Sequence, residues 1–170
     1  MTIAKFLLGS FFILLIHGCD TKIDSIPNNQ VEEYIFELQA NQYQEFKFPS
    51  FSANHISQLL EFGNETIPTR TFPHNPVVCY MTEAETKVGV VVLWTIESIR
   101  RSFLEDSEEL IYPSADPLLI MNDPQNEDYN YYHGYHIKAY EAYKKWWQLE
   151  LPLGEKMKIN PLGDSTLKWR

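Results

Sequence analysis

Val31, Tyr34, Ile35 and Leu38 fall at i, i+3, i+4 and i+7, the spacing of one apolar helical face. Asn28 or Asn29 stands ready to cap that helix. Three further windows lie between prolines, which helix interiors exclude. In the second, Ser50 or Ser52 opens a helix with Ile56, Leu59 and Leu60 turned inward, and Gly63 marks its stop. In the third, TEAE at 82–85 has the form of a capping box, in which Thr82 and Glu85 satisfy each other's backbone N–H groups. KVGVVVLWTIESIRRSF follows. Its valines favour a strand, and Gly89 costs a helix up to about 1 kcal/mol. Val88, Val92, Ile96, Ile99 and Phe103 nevertheless share one helical face, with Val91 and Thr95 beside it. Cap and length decide for a helix, and apolar residues on most of its sides make it central and largely buried.

The fourth window, roughly 126–149, repeats Tyr129, Tyr132, His133, His136, Tyr140, Tyr143 and Trp147 at helical spacing. Between the third and fourth helices, the acidic stretches EDSEE (105–109) and NDPQNED (122–128) bracket the short apolar segment LIYPSADPLLIM. Near the end, Lys156, Met157, Lys158 and Ile159, then Leu167, Lys168 and Trp169, alternate about a Pro-Gly turn, a pattern that predicts a small C-terminal β-hairpin. Helices without a βαβ rhythm define an all-α domain of antiparallel hairpins. The helix order would suit HEAT-like stacking, although no sequence period marks it.

The first twenty residues follow a different pattern. A short start carrying Lys5 leads into the apolar run FLLGSFFILLI (6–16), then His17, Gly18 and Cys19. Eleven helical residues span roughly 16 Å, about half of a ~30 Å hydrocarbon layer, so the run reads as a removed signal rather than a membrane span. LIHGC at 15–19 resembles the lipobox of bacterial lipoproteins, with His17 where Ala or Ser is usual. The resemblance implies a diacylglyceryl thioether on Cys19, cleavage before it and acylation of the new amino terminus. One acyl chain binds a membrane only marginally, whereas several on one residue hold it firmly. The expected organisation is a signal at 1–18, a tether at 19–27 and a single helical domain at 28–170. Asp24-Ser25-Ile26 and Asp164-Ser165-Thr166 resemble the short O-glycosylation sequence of Bacteroidetes periplasmic proteins, which marks Ser25 and Ser165 as weak modification candidates; ordinary turn chemistry is the competing explanation.

Charge narrows the partners. The chain carries −9 at pH 7, and the expected mature chain −10. An acidic surface excludes nucleic acid and adhesion to anionic lipid through protein side chains. With Cys19 assigned to lipid, Cys79 has no intrachain disulfide partner and is expected as a buried, inert thiol.

FPHNP (72–76) and LWTIESIR (93–100), within 59–101, are similar to a family of small Bacteroidetes lipoproteins of unknown function. That resemblance implies compartment and helical fold and no catalytic residue. Physically, FPHNP is a proline-stiffened connector, and Glu97 and Arg100 at i, i+3 form an ion pair or a link to a neighbouring loop.

No nucleophile elbow, P-loop, HExxH or dinucleotide fingerprint occurs. His133 and His136 have zinc-compatible spacing but fit polar-aromatic packing better, and the 122–128 loop lacks the glycine and terminal glutamate of a calcium loop. No metal or cofactor is expected. Trp146 and Trp147 raise a carbohydrate-stacking possibility, yet neighbours about 100° apart on a helix cannot share one flat platform, and at least one should enter the core. The expected function is a non-enzymatic, lipid-anchored envelope domain that binds a protein partner, held at the outer membrane and facing the periplasm. The alternatives are a carbohydrate-binding accessory lipoprotein of a glycan-uptake system and a hydrolase using Cys79 or the histidine pair.

Overall fold

The computed structural model describes residues 29–75, 85–121 and 134–170. Asn29 starts α1 (Gln30–Ala40) as its position predicts: its side-chain oxygen accepts from the Val31 and Glu32 N–H groups, both at 3.0 Å. Val31, Tyr34, Ile35 and Leu38 are all buried, and Asn41 closes the helix in the left-handed region (φ 56°). Ser52 precedes a 3-10 turn (Ala53–His55) that runs into α2 (Ile56–Glu61), with Ile56, Leu59 and Leu60 inward. Gly63 follows α2, but not as a left-handed cap, because no glycine has positive φ among the described residues. It is small for another reason: a Cβ there would lie 2.8 Å from the Tyr140 ring.

The central helix, α3, spans Val88–Leu104 and buries fourteen of its seventeen residues. It begins later than the TEAE box suggests. Thr82 lies outside the described residues, and Thr86–Lys87 forms strand β2, antiparallel to β1 (Pro68–Thr69). Lys87 makes no side-chain cap. Instead, the Ile67 carbonyl accepts from the Val88 N–H at 2.9 Å, and the Glu65 carbonyl accepts from Gly89 at 3.1 Å. The first-turn donors of α3 are thus satisfied by a loop lying across them rather than by a side chain. Phe103, expected on the buried face, is 45% exposed: α3 emerges from the core at its last turn.

After α3 come β3 (Leu119–Met121), α4 (Gly134–Trp147), α5 (Leu153–Lys158) and β4 (Leu167–Trp169). Helices α1, α2, α4 and α5 all pack against α3, so the layout is one helix wrapped by others; HEAT-like stacked hairpins do not describe it. The expected C-terminal hairpin is replaced by two separate elements. Residues 153–158 turn helical behind Pro152 and bury Met157, while β4 pairs antiparallel with distant β3, placing Leu119 opposite Trp169 and Met121 opposite Leu167. The Lys-Met-Lys-Ile alternation was not a strand signal, because one buried residue per turn satisfies a two-turn helix equally well. The fold class is mainly helical with short strand pairs, and among the described residues no helix is long and apolar enough to cross a membrane.

Side chains lock this arrangement from several directions. Tyr34 of α1 meets the Thr95 hydroxyl of α3 at 2.9 Å, and Thr95 also donates to the Val91 carbonyl. Trp94 points the other way, its indole N–H on Ser114 Oγ at 2.9 Å and its ring against Phe48 and Tyr112. Full burial of each such large side chain contributes about 1.5–3 kcal/mol.

The tightest backbone approach is at Gly89, where a Cβ would lie 2.4 Å from His136 Nε2, 2.7 Å from the Gly63 carbonyl and 2.8 Å from the Glu65 nitrogen. Gly89→Ala is therefore expected to destabilise the fold by about 1–3 kcal/mol in urea titration, despite alanine's better helix propensity. Gly154→Ala in α5, where nothing lies within 4 Å, is the contrast and should not destabilise.

Candidate functional site

Polar chemistry concentrates inside the molecule on α3. Glu97 is 2% exposed. A lone carboxylate at that depth would be very costly, so it must be fully paired. Arg100, one turn on, donates to it twice: Nε to Oε2 at 2.8 Å and an Nη to Oε1 at 2.7 Å. Arg101 adds Nε to Oε1 at 3.0 Å, and the Tyr143 hydroxyl of α4 donates to Oε2 at 3.0 Å. The second Nη of Arg100 reaches the Met157 carbonyl of α5 at 2.9 Å. Trp169 of β4 donates its indole N–H to the Tyr143 oxygen at 2.9 Å. One carboxylate thereby connects α3, α4, α5 and β4.

The electrostatics agree with the geometry. Burial opposes the charge on Arg100, but the hydrogen bonds and the charge of Glu97 outweigh it and hold the guanidinium above its ordinary range. Burial, and then the Glu97 charge, push Tyr143 well above its ordinary value, so it remains a neutral donor. With its lone pairs committed to four donors, Glu97 acts as a fastener between elements.

A second buried constellation is built on His136, 3% exposed in the first turn of α4. Its Nε2 lies 2.9 Å from the Gly63 carbonyl, which makes Nε2–H the donor and leaves Nδ1 buried and, among the described residues, unpartnered. Burial lowers its affinity for a proton, the bond to Gly63 partly restores it, and Lys87 lowers it further.

The sequence-derived candidates divide as follows. Cys19, Ser25, Cys79 and His133 lie outside the described residues, as does the 122–128 loop. His136 is a core histidine bonded to backbone, and among the described residues no cluster of three potential metal ligands occurs. Ser165 is tied into a turn, donating to the Leu162 carbonyl at 2.9 Å and accepting from the Leu167 N–H at 3.0 Å. Trp146 is buried, with its N–H on the Lys156 carbonyl, while Trp147 lies beneath the Lys156 ammonium; the two rings stand 46° apart and form no flat platform. Glu97 and Arg100 form both of the expected contacts, the ion pair and the link to a neighbouring segment. Missing from the sequence reading were Tyr143, Trp169 and the Met157 carbonyl. The available signal was a carboxylate set between Ile96 and Ile99 on a buried helix, which demands partners from elsewhere.

These features define a mainly helical domain organised round a buried ionic fastener. Residues 25–170 match the model of a family described as a domain of unknown function, DUF4943, and the chain belongs to that family. Comparison with curated proteins and with solved structures finds no significant match.

Removing one member of a buried ion pair leaves the other uncompensated. Glu97→Ala is expected to cost about 3–5 kcal/mol, whereas Tyr143→Phe, which removes one donor and the Trp169 acceptor, should cost about 1–3 kcal/mol; denaturant midpoints check both. His136 generates a pH dependence of definite sign. The unfolded chain binds a proton near the ordinary value of 6.5, while the folded form resists it. The unfolded state therefore gains protons first, and stability is full above about pH 6.5 and falls as pH drops below it. Unfolding midpoints from pH 8 to about pH 5 should show this fall, and His136→Gln should flatten the part that belongs to the imidazole.

Proposed function

We propose that this chain is an acylated cell-envelope protein whose helical domain serves as a non-catalytic binding module for a protein partner. The observation that carries the anchoring half is the apolar run at 6–16 ending at Cys19, six residues ahead of the matched domain. A thioether there would leave a tether of a few residues and hold the domain close to the bilayer, the outer membrane facing the periplasm in this reading. The inward use of charge supports the binding half: Glu97, Arg100 and Tyr143 satisfy one another, and His136 is spent on a backbone carbonyl, so these groups serve the fold.

Metabolic labelling with an alkyne fatty acid tests the anchor. The full chain is expected to take up label and fractionate with membranes, and Cys19→Ser should abolish both. Label retained in Cys19→Ser, or none in the parent chain, overturns the anchoring. In-cell photo-crosslinking from exposed positions tests the module: one discrete adduct, saturating with expression of the partner, is expected, and no adduct from any face would refute a protein-binding role.

A further inference from the structure

Away from the ionic fastener, residues 43–45 and 70–74 enclose a groove of about 220 Å³, lined by Tyr43, Gln44, Glu45, Arg70, Thr71, Phe72 and His74. Its walls are fixed before any ligand arrives. The Arg70 N–H donates to Asn41 Oδ1 at 2.7 Å, the His74 N–H donates to the Phe46 carbonyl at 2.9 Å, and the Tyr43 hydroxyl donates to the Lys47 carbonyl. Tyr43 and Phe72 turn into the core and form the floor.

The rim is polar and underused. Gln44 and Glu45 are exposed and hold no side-chain partner among the described residues. The guanidinium of Arg70 has one long, solvent-exposed contact, 3.4 Å to Glu85, of a kind worth little in water. His74 Nδ1 faces the Phe72 carbonyl at 3.1 Å, which directs its proton there and leaves Nε2 as an open acceptor in the neutral ring. Thr71 Oγ1 is buried at the wall with no hydrogen-bond partner among the described residues. Beside the groove, Phe46 stands edge-on to His74 at 5.1 Å with 54% of its surface exposed.

This inventory selects among ligands. A rim whose one permanent cation shares the groove with the Glu45 carboxylate does not suit an inorganic anion, and a single carboxylate sharing it with an arginine does not suit a divalent cation. The rim holds donors on Gln44 and Arg70 and acceptors on Gln44, Glu45 and His74, a mixture that matches a neutral molecule whose hydroxyls do both. The volume is below the ~300–1,000 Å³ of pockets for drug-sized ligands, so the occupant is a single small ring. Phe46, in ring contact with the lining residue His74 and half exposed, adds apolar surface next to the groove for the C–H face of such a ring. We propose that this groove is a saccharide subsite that takes one neutral hexose ring. It stands or falls independently of acylation at Cys19, and it moves carbohydrate recognition away from Trp146 and Trp147.

Saturation-transfer NMR on the full chain in detergent, with glucose, galactose and mannose as probes, tests it. Saturable transfer to at least one hexose is expected, with the open-chain polyol mannitol silent. Arg70→Ala and Glu45→Gln, both at exposed positions, should each weaken binding about tenfold, while Lys168→Ala on β4 should not. No transfer to any of the three sugars, transfer unchanged in Arg70→Ala and Glu45→Gln, or a response to free leucine with the hexoses silent would each overturn the assignment.

Discussion

A helix surrounded by other helices has no face on which to leave a charge, and α3 carries one anyway. That constraint organises the molecule. Donors converge on the buried carboxylate of Glu97 from its own next turn and from α4, and those donors are held in turn: Arg100 donates to the Met157 carbonyl of α5, and Tyr143 accepts from the Trp169 indole of β4. Such a network adds little net stability over a well-packed apolar equivalent, since desolvation offsets most of the attraction. Its contribution is geometric. Apolar contacts permit sliding between helices, whereas a bidentate guanidinium and a directed phenol fix rotation and depth.

The opposite end of α3 is held by backbone. Loop carbonyls of Glu65 and Ile67 cover the first N–H groups, Gly89 lets the loop descend, and His136 fastens the same loop from α4. The two ends therefore differ in sensitivity. The His136 end responds to protons within the range of an imidazole, and the Glu97 end is fixed by directed hydrogen bonds between side chains.

Much of the helical layout was legible in residue spacing. The buried face of α1, its Asn29 cap, the inward residues of α2 and the burial of α3 all follow from periodicity, because one helix presents one face. What escaped was non-local. Strands of two or three residues carry too few side chains to show an alternation, and the β3–β4 pairing joins segments nearly fifty residues apart. The α3 start was hidden because backbone carbonyls, not a side chain, satisfy it. On α4, Trp146 rather than Trp147 entered the core, a choice of helix register that aromatic spacing alone left open. Of the candidate site, the Glu97–Arg100 pair was visible at i, i+3, while Tyr143 and the Met157 carbonyl could be found only in space. The groove at 43–74 left no sequence signature, since its two walls are irregular segments.

The fastener also sets an order of events. Glu97 and Arg100 meet within one helical turn, but the Met157 carbonyl lies 57 residues beyond Arg100, and Trp169 completes the set 26 residues after Tyr143. A chain that ends at α3 therefore holds Glu97 and Arg100 without the Tyr143 hydroxyl and the Met157 carbonyl that complete their hydrogen bonds.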